Sequence, residues 1–142
     1  MRRCKWIFLA LILVMLGCTP KADVGGTWAG TMNGQNADKN GSTNLEVALQ
    51  PTSRGLTGSV TWRNSTGPWG LMEGESLNVT NGSVSGNKVS FVAEKNLPGG
   101  SVTANFKGTA KDATTITGTA SFTLGSVMGG DTYLGNFELK RK

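Results

Sequence analysis

From Gly25 to the end of the chain, apolar and polar side chains alternate with a period of two. Leu45, Val47 and Leu49 alternate with Glu46, Ala48 and Gln50. Val89, Phe91 and Ala93 alternate with Ser90, Val92 and Glu94, and Val102, Ala104, Phe106 and Gly108 with Thr103, Asn105 and Lys107. Such alternation marks strands with one buried face and one wet face. No 3.6-residue pattern runs for ten residues after Leu16, so almost no helix is expected. Turn clusters at Pro51–Gly55, Pro98–Gly100 and Lys111–Thr114 punctuate the strands. Between Leu77 and Phe91 there are two turn candidates, Asn81-Gly82 and Gly86-Asn87. Asn-Gly is the stronger hairpin signal, but the apolar parity changes between Val84 and Val89, which favours the later turn. The pattern predicts about eight strands, near 26–33, 43–50, 56–63, 76–84, 88–95, 101–110, 115–123 and 132–141. Short turns between them make an antiparallel up-and-down meander. A meander of this size hides its edges best by closing into a small barrel. A β-sandwich is the alternative.

A weak repeat supports closure. An apolar-x-Gly-[Thr/Ser/Asn] unit appears as WAGT, LTGS, VSGN, FKGT and ITGT. In most copies the glycine shares a face with the apolar residue two before it. Inner-face glycines relieve crowding and let strands bend sharply.

The first residues have a different character. Met1 to Lys5 is basic, and Trp6 to Leu16 is an unbroken apolar run. That is the layout of a secretory signal, and too short for a bilayer-spanning helix, which needs about 20 residues. Met15-Leu16-Gly17-Cys18 then resembles the lipobox of bacterial lipoproteins, with Met15 where leucine is usual. The resemblance implies cleavage after residue 17 and lipid attachment at Cys18. It also implies an extracytoplasmic, membrane-anchored protein. Thr19 after the cysteine resembles the outer-membrane sorting pattern, facing the periplasm. The expected organisation is a signal at 1–17, the lipidated cysteine and a short tether at 18–24, and one domain at 25–142. Each buried methylene contributes about 0.8 kcal/mol, and stable anchoring needs more than one acyl chain. Palmitate-type chains on one residue meet that need. With Cys4 in the signal and Cys18 acylated, no disulfide is expected.

The whole chain has a formal charge of +5, but Arg2, Arg3 and Lys5 belong to the signal. Residues 18–142 hold eleven basic against nine acidic side chains, with no basic stripe. Nucleic-acid binding wants a clustered basic face and is not expected.

At Gly26-Thr27-Trp28 the domain resembles the calycin superfamily: lipocalins, fatty-acid-binding proteins and avidins. The resemblance implies that Trp28 closes one barrel end and packs against a basic residue from the last strand. Phe137, Leu139 and Arg141 share a parity, so Arg141 is the expected partner. A one-residue slip would substitute Lys140 or Lys142. The binding residues of avidins and lipocalins cannot be placed on this sequence.

The chain has no histidine, which removes the commonest general base and metal ligand. No catalytic residues, cofactor or metal are expected, and no enzymatic activity. Glu73, Glu75 and Asp131 read as solvated loop carboxylates rather than a calcium site, because no EF-hand run is present. Asn64-Ser65-Thr66 and Asn78-Val79-Thr80 match glycosylation acceptors by letter only.

The suggestive region is the segment 63–76, RNSTGPWGLMEGES, with Trp69, Leu71 and Met72. Long loops are often functional, and Trp and Met are enriched at interface cores. The loop after Phe122 adds Val127 and Met128. Candidate ligand or partner contacts are Trp62, Trp69, Leu71, Met72 and Tyr133. The leading expectation is a non-catalytic interaction module that presents loops to another envelope protein. The alternative is a carrier of a small apolar ligand inside the barrel.

Overall fold

A computed structural model describes residues 22–34, 41–97, 100–125 and 132–142. Eight strands run in chain order: β1 (Gly26–Gly34), β2 (Ser42–Thr52), β3 (Gly55–Arg63), β4 (Ser76–Ser85), β5 (Lys88–Leu97), β6 (Gly100–Asp112), β7 (Thr115–Leu124) and β8 (Thr132–Arg141). Each pairs antiparallel with its sequence neighbours, and β8 pairs with β1 to close a barrel. The one helical element among the described residues is a 3₁₀ turn at Gly67–Met72, between β3 and β4. The fold is therefore the all-β meander that the alternation called for, closed rather than split into a sandwich. Closure gives every strand two partners and leaves no free edge.

Two departures from regular pairing shape the barrel. Asn81-Gly82 forms no hairpin. It lies inside β4, where the register slips against β3 between Leu56 and Gly58 and against β5 between Val79 and Asn81. The bulge flips parity, so Leu77 and Val79 point inward above it and Val84 packs on the core below it. The turn falls at Gly86-Asn87, with Gly86 at φ +62°. The VSGN copy of the repeat is thus a turn, whereas the other four copies lie in strands. Gly58 shows what those strand copies do. It has φ +147°, and a Cβ there would sit 1.8 Å from the Ala48 carbonyl oxygen. The backbones approach too closely for any side chain, so β2 and β3 coil tightly.

The inner face forms one cluster that includes Trp28, Met32, Leu45, Val47, Trp62, Phe91, Phe106, Phe122, Phe137 and Leu139. The aromatics touch in a chain. Phe91 stacks on Phe106 at 4.8 Å between ring centroids, and Phe106 meets Phe137 edge-on at 5.5 Å. Trp62 lies 6.3 Å from Phe106 and 5.9 Å from Phe122, and Phe122 lies 6.5 Å from Tyr133. These distances suit offset and tilted aromatic packing. Small residues offset the large ones: Ala93 pairs with Ala104, and Ala120 with Gly135.

Candidate functional site

The barrel has two unlike ends. At the closed end, two-residue turns join β2 to β3, β4 to β5 and β6 to β7, and the start of β1 lies beside the end of β8. At the loop end, longer connections join β1 to β2, β3 to β4 and β7 to β8, while two residues join β5 to β6.

The closed end is organised by Trp28 and Arg141, which pair in register across β1 and β8. Trp28 is 1% exposed and donates its indole N–H to the Val24 carbonyl at 3.0 Å. The Arg141 guanidinium carbon lies 4.4 Å from the centroid of the Trp28 ring. This cation–π contact is of a kind that contributes about 0.5–2 kcal/mol. Arg141 Nη1 donates to the Gly25 carbonyl, Nη2 to the Asp23 carbonyl at 2.7 Å, and Nε to the Ala113 carbonyl at 2.9 Å. One side chain thus ties the residues leading into β1 to the β6–β7 turn and covers the tryptophan. Lys140 and Lys142 are exposed, as the expected register requires. A groove of about 480 Å³ runs beside this end, between Val24, Pro51, Arg54, Leu56 and Val84.

The loop end is organised by Trp62, which pairs with Leu45 near the end of β3. Its backbone N–H donates to the Glu75 carbonyl at 3.1 Å, and its carbonyl accepts from Gly74 at 2.9 Å. These bonds draw the end of the 3₁₀ segment against β3. Met72 is fully buried and joins the same core cluster. The Trp62 ring is also fully buried, yet its indole N–H meets no acceptor among the described residues. Buried polar groups are nearly always paired, and an unpaired one costs about 1–3 kcal/mol. Tyr133 is half-buried and packs against this cluster.

The connecting segment is held by its own polar groups. Glu73 accepts from the Ser65 N–H at 2.6 Å and the Asn64 N–H at 3.1 Å. The Ser65 bond chiefly holds the Glu73 carboxyl below its ordinary pKa, with burial opposing and Asn64 assisting. Asn64 has φ +51°, a left-handed turn that asparagine tolerates. Thr43 is buried, shares a hydrogen bond with Ser65 at 2.7 Å and donates to the Arg63 carbonyl at 3.2 Å. Thr66 bonds the start of β2 through both backbone and side chain. Glu75 pairs with Lys95 at 2.8 Å. Asn64-Ser65-Thr66 is therefore a structural staple, and Glu73 a clamp on it. Thr43 was missed in the sequence, because a lone threonine at a strand start carries no signal of what it will meet.

Of the sequence candidates, the structure brings together Trp62, Met72 and Tyr133 in one core, and Trp28 with Arg141 at the opposite end. The side chains of Trp69 and Leu71 lie outside the described residues, as do Cys18, Val127, Met128 and Asp131. Among the described residues, no three His, Cys, Asp or Glu side chains gather as a metal site would need.

The architecture defines a class: a small, closed, eight-stranded antiparallel barrel with a calycin-like fold. Among solved structures, EF1p2_mFAP2b bound to DFHBI is similar, with a TM-score of 0.56 over 84% of this chain and 94% of that one, at 15% identity. At that identity the likeness is one of fold. No protein-family model and no curated protein matches the chain.

Proposed function

We propose that this chain is a non-catalytic binding barrel, held at a bacterial membrane by lipid on Cys18. At its loop end, against Trp62, it takes a small, largely apolar ligand that carries one hydrogen-bond acceptor. The observation that carries the reading is the Trp62 indole N–H, buried among aromatic rings with no acceptor among the described residues. A ligand carbonyl or ether oxygen would satisfy it, while the ligand's apolar body lies on Phe122 and Tyr133. Met72, unbranched and adaptable, is the side chain best suited to yield space. A barrel of the same architecture, EF1p2_mFAP2b, is bound to DFHBI. The lipid anchor rests on the basic start, the apolar run and Met15-Leu16-Gly17-Cys18. Absence of histidine supports binding over catalysis.

The rival reading places an envelope protein on segment 63–76. Of its candidate contacts Trp69, Leu71 and Met72, Met72 is turned inward at 0% exposure.

Mass spectrometry of organic extracts from the purified protein tests the ligand. A compound that recurs across preparations and is depleted in Trp62→Phe is the expected result. Clean extracts from repeated preparations would refute the carrier reading. For the anchor, Cys18→Ser should release the protein from membranes; unchanged retention would defeat it.

A further inference from the structure

We infer that the closed end of the barrel is a docking face for an anionic lipid surface, which sets the loop end pointing away from the membrane. The placement beside a bilayer rests on the lipid-anchor reading above; the face itself rests on charge and topology.

Cys18 precedes Ala22 by four residues, a reach of at most about 14 Å. Ala22 is fixed at the closed end by its N–H bond to the Gly86 carbonyl at 2.8 Å. Arg141 holds the Asp23 and Gly25 carbonyls there as well. A lipid on Cys18 therefore brings the closed end, and not the loop end, to the headgroups.

The charges divide the same way. The closed half carries Arg54, Lys88, Lys107, Lys111, Lys140 and Lys142, all exposed, besides Arg141. Against these seven stand Asp23, Asp112 and Glu138. The loop half has the opposite balance among the described residues: Arg63 and Lys95 against Glu46, Glu73, Glu75 and Glu94. The near-neutral total of the domain conceals a separation along the barrel axis. Both described ion pairs, Arg63 with Glu46 and Lys95 with Glu75, use up the basic groups of the loop half. The closed-half lysines are exposed on several neighbouring turns and strand ends, and Lys88 and Lys140 also donate to the Thr109 and Thr115 hydroxyls. Basic side chains within a Debye length of about 10 Å of anionic lipids are attracted to them, and acidic ones are repelled. Both effects turn the molecule the same way.

The test uses the full-length lipidated protein in vesicles of phosphatidylcholine, with and without phosphatidylglycerol. A membrane-impermeant amine reagent labels exposed lysines, and peptide mass spectrometry reads each site. Lys88, Lys111 and Lys140 should label several-fold less on the phosphatidylglycerol vesicles, while Lys95 should not change. High salt should restore their labelling. The double variant Lys88→Glu with Lys111→Glu should lose the protection of Lys140. Equal labelling on the two vesicle types, or protection that ignores salt, would overturn the inference. Incorporation of labelled palmitate into wild type but not Cys18→Ser scores the anchor separately. If palmitate fails to incorporate, the anchor reading falls, and the same footprint on vesicles added to the purified chain still decides the face.

Discussion

Trp28 and Trp62 both point into the barrel, both are almost fully buried, and both stand on early strands, yet their surroundings are opposite. Trp28 has its N–H paired with Val24, its ring covered by Arg141, and turns of two residues around it. Trp62 has an N–H unpaired among the described residues, an unbranched methionine in the same cluster, and longer connections nearby. The closed end has spent its polar groups on holding itself together. The loop end leaves one buried donor unpaired among the described residues at a stability cost, and the proposed ligand site rests on that donor.

Three measurements can break or sharpen this contrast. The largest effect is expected from Trp28→Ala, which removes a buried ring and the cation–π contact it makes with Arg141. A loss of about 3–5 kcal/mol in unfolding free energy is expected by denaturant titration. A loss below about 1 kcal/mol would mean that the closed end does not hold the barrel shut.

A matched pair comes next. Trp28→Phe discards a satisfied hydrogen bond and leaves the Val24 carbonyl unpaired, whereas Trp62→Phe discards an unsatisfied donor. Both remove similar ring volume, so the difference isolates the polar term. Trp28→Phe should be the more destabilising by about 1–3 kcal/mol. Equal losses would show that the Trp62 N–H is satisfied in solution.

The smallest effect concerns acid. The folded-state pKa of Glu73 is depressed below the ordinary carboxylate value, chiefly by the Ser65 N–H. Its contribution is therefore fully present above the unfolded pKa and lost as pH falls through the folded one. Hydrogen exchange at the Ser65 and Asn64 amides should accelerate as pH drops below about 4, beyond the intrinsic trend. Glu73→Gln should remove that extra dependence. Asp112, held low in the same way by the Thr114 N–H and hydroxyl, gives the closed end its own acid-sensitive turn for comparison.

Much of the fold was legible because a strand's side-chain period is two and a barrel must bury one face of every strand. The eight expected strands match the observed ones to within two residues at each boundary. Trp28 and Arg141 could be paired in advance because the calycin resemblance calls for a basic partner from the last strand and parity selects Arg141. The bulge at Asn81-Gly82 was not legible, since the same dipeptide serves a hairpin or a bulge depending on what lies across from it. The loop-end site was only half visible. Trp62 and Met72 could be named, but not their burial in one cluster or the missing acceptor.

The linear order of residues determined the alternation, the turns and the charge of each side chain, because those are local properties of neighbouring residues. Which end would become basic, and which tryptophan would be left without an acceptor, was decided only when the sheet closed. Closure places residues more than a hundred positions apart, such as Gly25 and Arg141, side by side. Hydrogen-bond satisfaction and surface potential depend on those distant neighbours and not on the residues next in sequence.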